Sequence, residues 1–288
     1  MKKVLFIAVL DKLIACKNTA EKTMLLILTF LMMSTMITSA QKRNAKPSLT
    51  KEQIIQKLVS NMVLVEGGSY MMGCMTSNDN DASFDEEPVH EVTISDFYIG
   101  KYEVTQEEWI AVMGKSPLPD SRNHLRDSKS PAWWVSWDDC QLFVKQLSEI
   151  TGRVFRLPTE AEWEFAAKGG NLSKGYKYAG SDNIDMVGWT NQIYNNNRPC
   201  RGGRLKPNEL GLYDMSGNVG EWCEDAYGDF SYKRHSPKNP VVKSNSLLKV
   251  IRGGNHYDSP SEARVSKRNM FSQTDSMPDT GLRLVMER

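Results

Sequence analysis

The 288-residue sequence carries 36 Lys and Arg against 35 Asp and Glu, formally +1, so bulk charge makes no case for nucleic acid or an anionic membrane surface. Hydrophobic residues at 40% and charged residues at 25% exclude a disordered chain and a multi-span membrane protein. The balance is uneven: residues 1–40 hold five Lys against Asp11 and Glu21, which leaves the rest of the chain slightly acidic.

From Met24 to Thr38 no residue is charged; Lys17 and Lys22 precede the run and Ser39-Ala40-Gln41 follows it. A basic segment, an apolar core and a small-residue cleavage site make a secretory signal. The run falls short of the roughly 20 apolar residues that a transmembrane helix needs, so residues 1–40 are read as a signal peptide cleaved after Ala40. Further upstream, Val4 to Leu10 and Leu13-Ile14-Ala15-Cys16 resemble a lipoprotein signal ending in a lipidated Cys, although Asp11 and Lys12 interrupt its core. Both readings export the protein to the periplasm, the cell surface or the medium, with the membrane reached only through the signal or a lipid anchor. Cys74, Cys140, Cys200 and Cys223 remain after Ala40. Export permits disulfides, and three pairings are open; with no C-x-x-C pair, buried or structural Cys are the simpler reading.

Residues 41–60 read as a polar tether followed by a short amphipathic helix, Lys51 to Ser60. Met62 to Gly73 consists of two apolar runs around Gly67-Gly68, a hairpin pattern, and Val89 to Tyr102 alternates like further strands. Ser136 with Asp139, Thr159 with Glu162 and Thr105 with Glu108 each predict a capped helix start. The Ser136 helix places Trp137, Cys140, Phe143, Val144, Leu147 and Ile150 at helical spacing before Gly152. Trp163, Ala166 and Ala167 are the expected inner face of the Thr159 helix, which Gly169-Gly170 ends. Beyond Gly170 the chain is rich in Gly, Asn, Ser, Pro and aromatics with only brief apolar runs. Something other than regular ladders must satisfy its backbone groups. There is no internal repeat, and residues 61–288 are taken as one domain.

Several stretches, in order, carry a family resemblance: Met62 to Gly73, Phe97-Tyr-Ile-Gly-Lys-Tyr-Glu-Val-Thr105, Arg156-Leu-Pro-Thr-Glu-Ala-Glu-Trp-Glu-Phe-Ala-Ala167, Asn208 to Val219 with Glu221-Trp222, Arg252-Gly-Gly254 and Gly281-Leu-Arg-Leu284. Together, over about residues 60 to 286, the chain resembles the formylglycine-generating enzyme (sulfatase-modifying factor) family. The resemblance implies an α+β, C-type-lectin-like fold with antiparallel sheets, a few helices and much irregular chain. It also implies calcium at Asp214, Gly217, Val219 and Glu221, where two side-chain carboxylates alternate with backbone carbonyls. Calcium takes six to eight hard oxygens, and Gly217 and Gly220 let carbonyls converge; a Gly-rich turn with solvated carboxylates is the plainer alternative. The family usually has Trp at the position of Gly220, so looser local packing is expected.

The resemblance also implies a chemistry that this sequence lacks the residues for. Active members bind Cu(I) through two Cys shortly after an Arg-Gly-Gly-Ser block, soft thiolates suiting that ion, and oxidise a sulfatase Cys to formylglycine. Here the block reads Arg252-Gly-Gly-Asn-His-Tyr-Asp-Ser-Pro-Ser-Glu-Ala-Arg264. Aligned on Gly253-Gly254, the two Cys positions are Asp258 and Ala263, and no Cys follows Cys223. Copper and formylglycine generation are therefore not expected, and an active oxidase acting on sulfatases is the alternative.

His256, Tyr257 and Asp258 fall where the family binds substrate and are candidate ligand contacts. His256 can be part of a hard-ligand metal site or an acid/base pair, or simply a surface histidine in a loop. Arg264 and Arg268, in the polar stretch from Asn255 to Asp279, either contact a ligand or pin the C-terminal segment. Gly202-Gly203 after Arg201 reads as an anion nest or a simple turn. The function that follows is binding of a protein or glycan ligand; a structural part of an envelope machine, using some of the seven Trp as a partner surface, is the other alternative.

Overall fold

In the computed structural model, residues 49–191 and 198–288 are described, together with Thr23, Ile27, Phe30 and Leu31. The cleavage, lipidation and tether readings lie outside the described residues. Thr50–Arg288 cluster as one unit.

Local sequence accounts for the helices. Helices α1 (Lys51–Ser60), α2 (Gln106–Met113), α3 (Trp137–Thr151) and α4 (Glu160–Ala167) all start in a capping box, made by Thr50/Gln53, Thr105/Glu108, Ser136/Asp139 and Thr159/Glu162. Each box satisfies backbone N–H groups that have no partner inside the helix. Helix α3 buries Cys140, Phe143, Val144 and Leu147, but Ile150 in its last turn is exposed, against expectation. Helix α4 departs further: all eight residues are buried, Glu160, Glu162 and Glu164 among them. It is a central helix whose acidic positions face partners instead of water.

Met62 to Gly73 is not the expected hairpin. Strand β1 (Met62–Val65) pairs antiparallel with β4 (Phe97–Gly100), whereas β2 (Gly68–Met72) pairs with β3 (His90–Ile94). The bends between β1 and β2 and between β3 and β4 lie against each other. The Gly67 amide donates to Asp96 Oδ1 at 2.9 Å, and a Cβ on Gly67 would stand 2.3 Å from the Ile94 carbonyl oxygen. The glycine permits a close crossing at which the chain changes partner.

Among the described residues three sheets result. One has the order β1-β4-β10-β5, with β5 at Phe155–Arg156 and β10 at Val285–Met286; the second is β2-β3. The third has the order β8-β7-β6-β9, from β6 (Gly220–Ala226), β7 (Leu248–Arg252), β8 (Arg268–Ser272) and β9 (Thr280–Gly281). All pairings are antiparallel except β6 with β9. Two large apolar clusters form the core, one around α2 and α3 with Trp109 stacked on Phe143, the other around α4 with Trp163 and Phe165. Cys140 and Cys223 are buried, one in each cluster, and Cys74 is half-buried. The fold is the α+β arrangement the resemblance implies.

Side chains satisfy the irregular backbone after Gly170. Asn208 donates to the Ala166 carbonyl at 2.7 Å, and its Oδ1 accepts from the amides of Leu210 and Leu212, both at 3.1 Å. Asp225 accepts from the Glu160 and Val242 amides. Four buried arginines do the same at larger scale: Arg283, for example, donates to the carbonyls of Gly100 and Tyr213 while it pairs with Glu221.

Candidate functional site

At the end of β7 the Gly253-Gly254 turn sends residues 255–264 back over the third sheet. His256 does not reach the surface. It is 1% exposed, its amide and Nδ1 both lie on the Asn218 carbonyl at 3.0 and 2.8 Å, and its ring packs between Tyr257 and Trp133. Burial pushes its pKa down to about 4, so it is neutral. The surface-histidine reading is thus corrected: the Asn218 carbonyl and two aromatic neighbours hold the ring inside. No hydrogen bond joins it to Asp258 among the described residues, which leaves no acid/base pair.

Asp258 faces a different group. Its Oδ2 accepts from the Asn255 amide at 3.1 Å and from Asn255 Nδ2 at 2.7 Å. Burial, then the neighbouring Asp279 and Glu262 carboxylates, push its pKa up to about 6, against the pull of the Asn255 amide. Asp279 is likewise raised by burial; its Oδ2 takes a 3.3 Å bond from Asn255 and its Oδ1 is buried with no hydrogen-bond partner. With Asn269, Phe271 and Thr280 these groups line a recess of about 320 Å³. Lys267 reaches Glu262 at 3.6 Å, but no cation pairs with Asp258 or Asp279 among the described residues. Tyr257, 43% exposed, stands at the edge, its hydroxyl pKa raised by burial and by Asp279. Trp134 is nearby, its amide on the Thr280 carbonyl and its φ at +67°, an outlier for a bulky side chain.

The recess is therefore rich in acceptors and poor in donors. Asp279 and Asn255 are site residues that sequence reasoning did not single out, whereas Asn269 and Phe271 belong to the polar stretch it read as a recognition segment. The one available signal was their place inside the polar stretch from Asn255 to Asp279. Gly220 also lines the recess, but a Cβ there would meet Ile251 Cγ2 at 2.8 Å, so the expected looseness is absent and Ile251 fills that space.

Arg264 and Arg268 are not in the recess. Arg264, 1% exposed, donates Nη1 and Nη2 to the two oxygens of Glu86 at 2.9 and 2.6 Å. Arg268, 2% exposed, holds Glu160 with Nε and Nη2 at 2.7 and 2.9 Å. As ligand contacts they are corrected: both guanidiniums are spent on buried carboxylates, and they pin the C-terminal segment.

The second predicted site, at Asp214, Gly217, Val219 and Glu221, is also buried. Asp214 has φ +58° and accepts from the Gly203 amide at 2.7 Å through Oδ2. Gly203 thus donates to an internal carboxylate, as the simple-turn reading of Gly202-Gly203 allows. Glu221 is fully engaged, by Arg283 Nη2 at 2.6 Å and by the Trp163 indole N–H at 2.7 Å. Glu103 completes the group, accepting from Asn218 Nδ2 at 2.7 Å. Three buried carboxylates thus share one guanidinium. Burial, opposed by the Gly203 amide and Arg283, pushes Asp214 up to about 6; burial and then Asp214 and Glu221 hold Glu103 well above the carboxylate range.

This group fits a cation in one respect: the carboxylates outnumber the buried positive charge, and Asp214 has only the Gly203 amide and the Trp189 side chain as donors. It lacks a ready cage. No group of three or more His, Cys, Asp or Glu side chains is placed to hold a metal among the described residues, so backbone carbonyls would have to complete the shell and Glu221 would share its oxygens with Arg283.

Residues 47–288 match the family model of the sulfatase-modifying factor enzyme 1-like domain. The chain is 32% identical over 277 residues to a chaperone protein LppX of Paenibacillus barcinonensis, covering 79% of this chain and 90% of that protein. It is 30% identical over 200 residues to a formylglycine-generating enzyme of Streptomyces coelicolor, covering 61% and 59% of the two chains. It spans about a third of the length of the chlamydial relatives it also matches. Among solved structures, Treponema denticola variable protein 1 superposes with a TM-score of 0.69 at 27% identity, covering 79% of this chain and 95% of that one.

Proposed function

The chain belongs to the sulfatase-modifying factor enzyme 1-like domain family, and we propose that it is an exported member that binds a ligand instead of generating formylglycine. The observation that carries this reading is the chemistry of positions 258 and 263. Asp258 is a hydrogen-bonded carboxylate in an acceptor-lined recess and Ala263 is a buried methyl group, so neither offers a thiolate. Cys140 and Cys223 sit in the two apolar clusters, where burial raises both thiols well above their ordinary range.

A recess of carboxylates and amides with an exposed tyrosine at its edge selects a donor-rich ligand. The hydroxyls of a glycan or a basic side chain of a protein meet that need, and either would give Asp258 and Asp279 the partners they lack. The Paenibacillus relative is named a chaperone protein, which agrees with a protein ligand. Export rests on the uncharged run from Met24 to Thr38 and the Ser39-Ala40 site. Calcium, held at Asp214 with backbone oxygens around Gly217 and Val219, would neutralise the buried carboxylates and brace the loop under the recess.

Two assays separate the readings. Purified protein loaded with Cu(I) and given oxygen should form no aldehyde on a sulfatase-motif peptide; aldehyde formation would restore the oxidase. A glycan and peptide array should then give binding that is lost in Asp279→Ala, and an array signal unchanged by that substitution removes the recess as the site.

A further inference from the structure

A second cavity, of about 380 Å³, opens between α1, the residues after β4 and the loop from Arg201 to Arg204. Five cations line it: Lys57, Lys101, Lys129, Arg201 and Arg204. Two of them are committed, Lys129 to Glu107 and Arg201 to Asp127 at 2.8 Å. Lys57, Lys101 and Arg204 make no ion pair among the described residues. Lys101 lies 5.8 and 5.5 Å from the centroids of Tyr102 and Tyr213, which stack at 5.2 Å. The stack sits tightly on the loop, because a Cβ at Gly203 would be 2.8 Å from Tyr102 Cε1.

The acidic groups in the wall do not cancel this charge. Glu107 is the partner of Lys129, Glu108 accepts from the Thr105 amide and hydroxyl at 2.8 and 2.7 Å, and Glu103 is buried against Asn218. The floor is apolar, with Leu58, Val104 and Leu284 buried. Lys101 and Arg204, with Lys57 partly offset by Glu108, stand beside an apolar cleft and describe a receptor for a charged head with a hydrocarbon stem.

We propose that this cleft is a second binding site, independent of the recess at Asp258, for a small organic anion: a phosphate, sulfate or carboxylate head carried on an apolar stem. Lys101 and Arg204 take the head, and Leu58, Val104 and Leu284 take the stem.

Calorimetry on the purified protein tests this with octyl phosphate, octanoate, inorganic phosphate and the uncharged octyl glucoside. At least one alkyl anion should bind more tightly than both inorganic phosphate and octyl glucoside, and added salt should weaken it. The comparison of octyl phosphate with octanoate identifies the head. Lys101→Gln and Arg204→Gln should each weaken binding about fivefold, the scale of a partly exposed charge pair. Neither residue makes an ion pair among the described residues, so the melting temperature should hold; Arg204→Gln, at an exposed loop position, serves if Lys101→Gln is unstable. Failure of either alkyl anion to bind better than both octyl glucoside and inorganic phosphate counts against that head alone; failure of both, or unchanged affinity in the variants, would overturn the proposal.

Discussion

Around α4 every helix carboxylate is met by cations: Arg268 and Arg252 face Glu160, Arg252 and Lys168 hold Glu164, and Arg156 holds Glu162 with two bonds at 2.7 Å. Around Asp258 the carboxylates meet only amides, and one oxygen of Asp279 meets nothing. Burial works to raise Glu160, yet Arg268 and Arg252 outweigh it and hold it below its ordinary range; Asp258 has only the weaker pull of Lys267, which forms no ion pair with it, and rises to about 6. The same side chain serves as structure in one place and as an open acceptor in the other, and the difference lies in whether the chain brings its own counter-charge.

The contrast breaks most visibly at an arginine. Arg268→Ala leaves Glu160 buried without its main partner and should cost about 3–5 kcal/mol, read by denaturant unfolding; a loss under 1 kcal/mol would mean that the pairing does not support the scaffold. In the recess the expectation reverses. Asp258→Asn should abolish most ligand capture, about tenfold or more, without lowering the melting temperature at neutral pH. Calcium at about ten times its dissociation constant should add roughly 1.4 kcal/mol at pH 7. The effect should vanish near pH 4, where Asp214 is protonated, and melts identical in calcium and chelator would remove the ion.

The smallest effect is on the pH profile. A raised carboxyl contributes stability below its unfolded value near 4 and loses it as pH rises through its folded value, so Asp214 and Asp258 weaken the fold between about pH 4 and 6. His235 and His256, both lowered to about 4 chiefly by burial, act in the opposite sense and lose stability as pH falls from about 6.5 to 4. Asp258→Asn should therefore raise stability at pH 7 relative to pH 4 by up to about 1 kcal/mol, discounted for the half-exposed site. A profile that parallels the wild type would show that Asp258 carries no unmatched charge.

What the sequence disclosed follows the range of the interactions. Capping boxes span three residues, and so Thr105, Ser136 and Thr159 could be read directly. The choice of β4 as the partner of β1 depends on a crossing at Gly67 and Asp96, 29 residues apart, and a local turn signal cannot report it. The roles of Arg264 and Arg268 were equally hidden, since Glu86 and Glu160 lie 178 and 108 residues away. The segment carrying the recess was legible through the ordered family blocks and the replaced Cys positions. Its individual contacts were not, because Asp279 comes to Asn255 through tertiary folding alone.

Strands β9 and β10 have a consequence for timing. Thr280–Gly281 forms the parallel edge of the third sheet, and Val285–Met286 joins β4 to β5 in the first. Arg283, between them, is the buried partner of Glu221. Neither four-stranded sheet can close until residues 280–286 have been made, so nascent chain shorter than this keeps both sheets open. Such late closure suits a polypeptide that, as proposed here, must thread across a membrane before it folds.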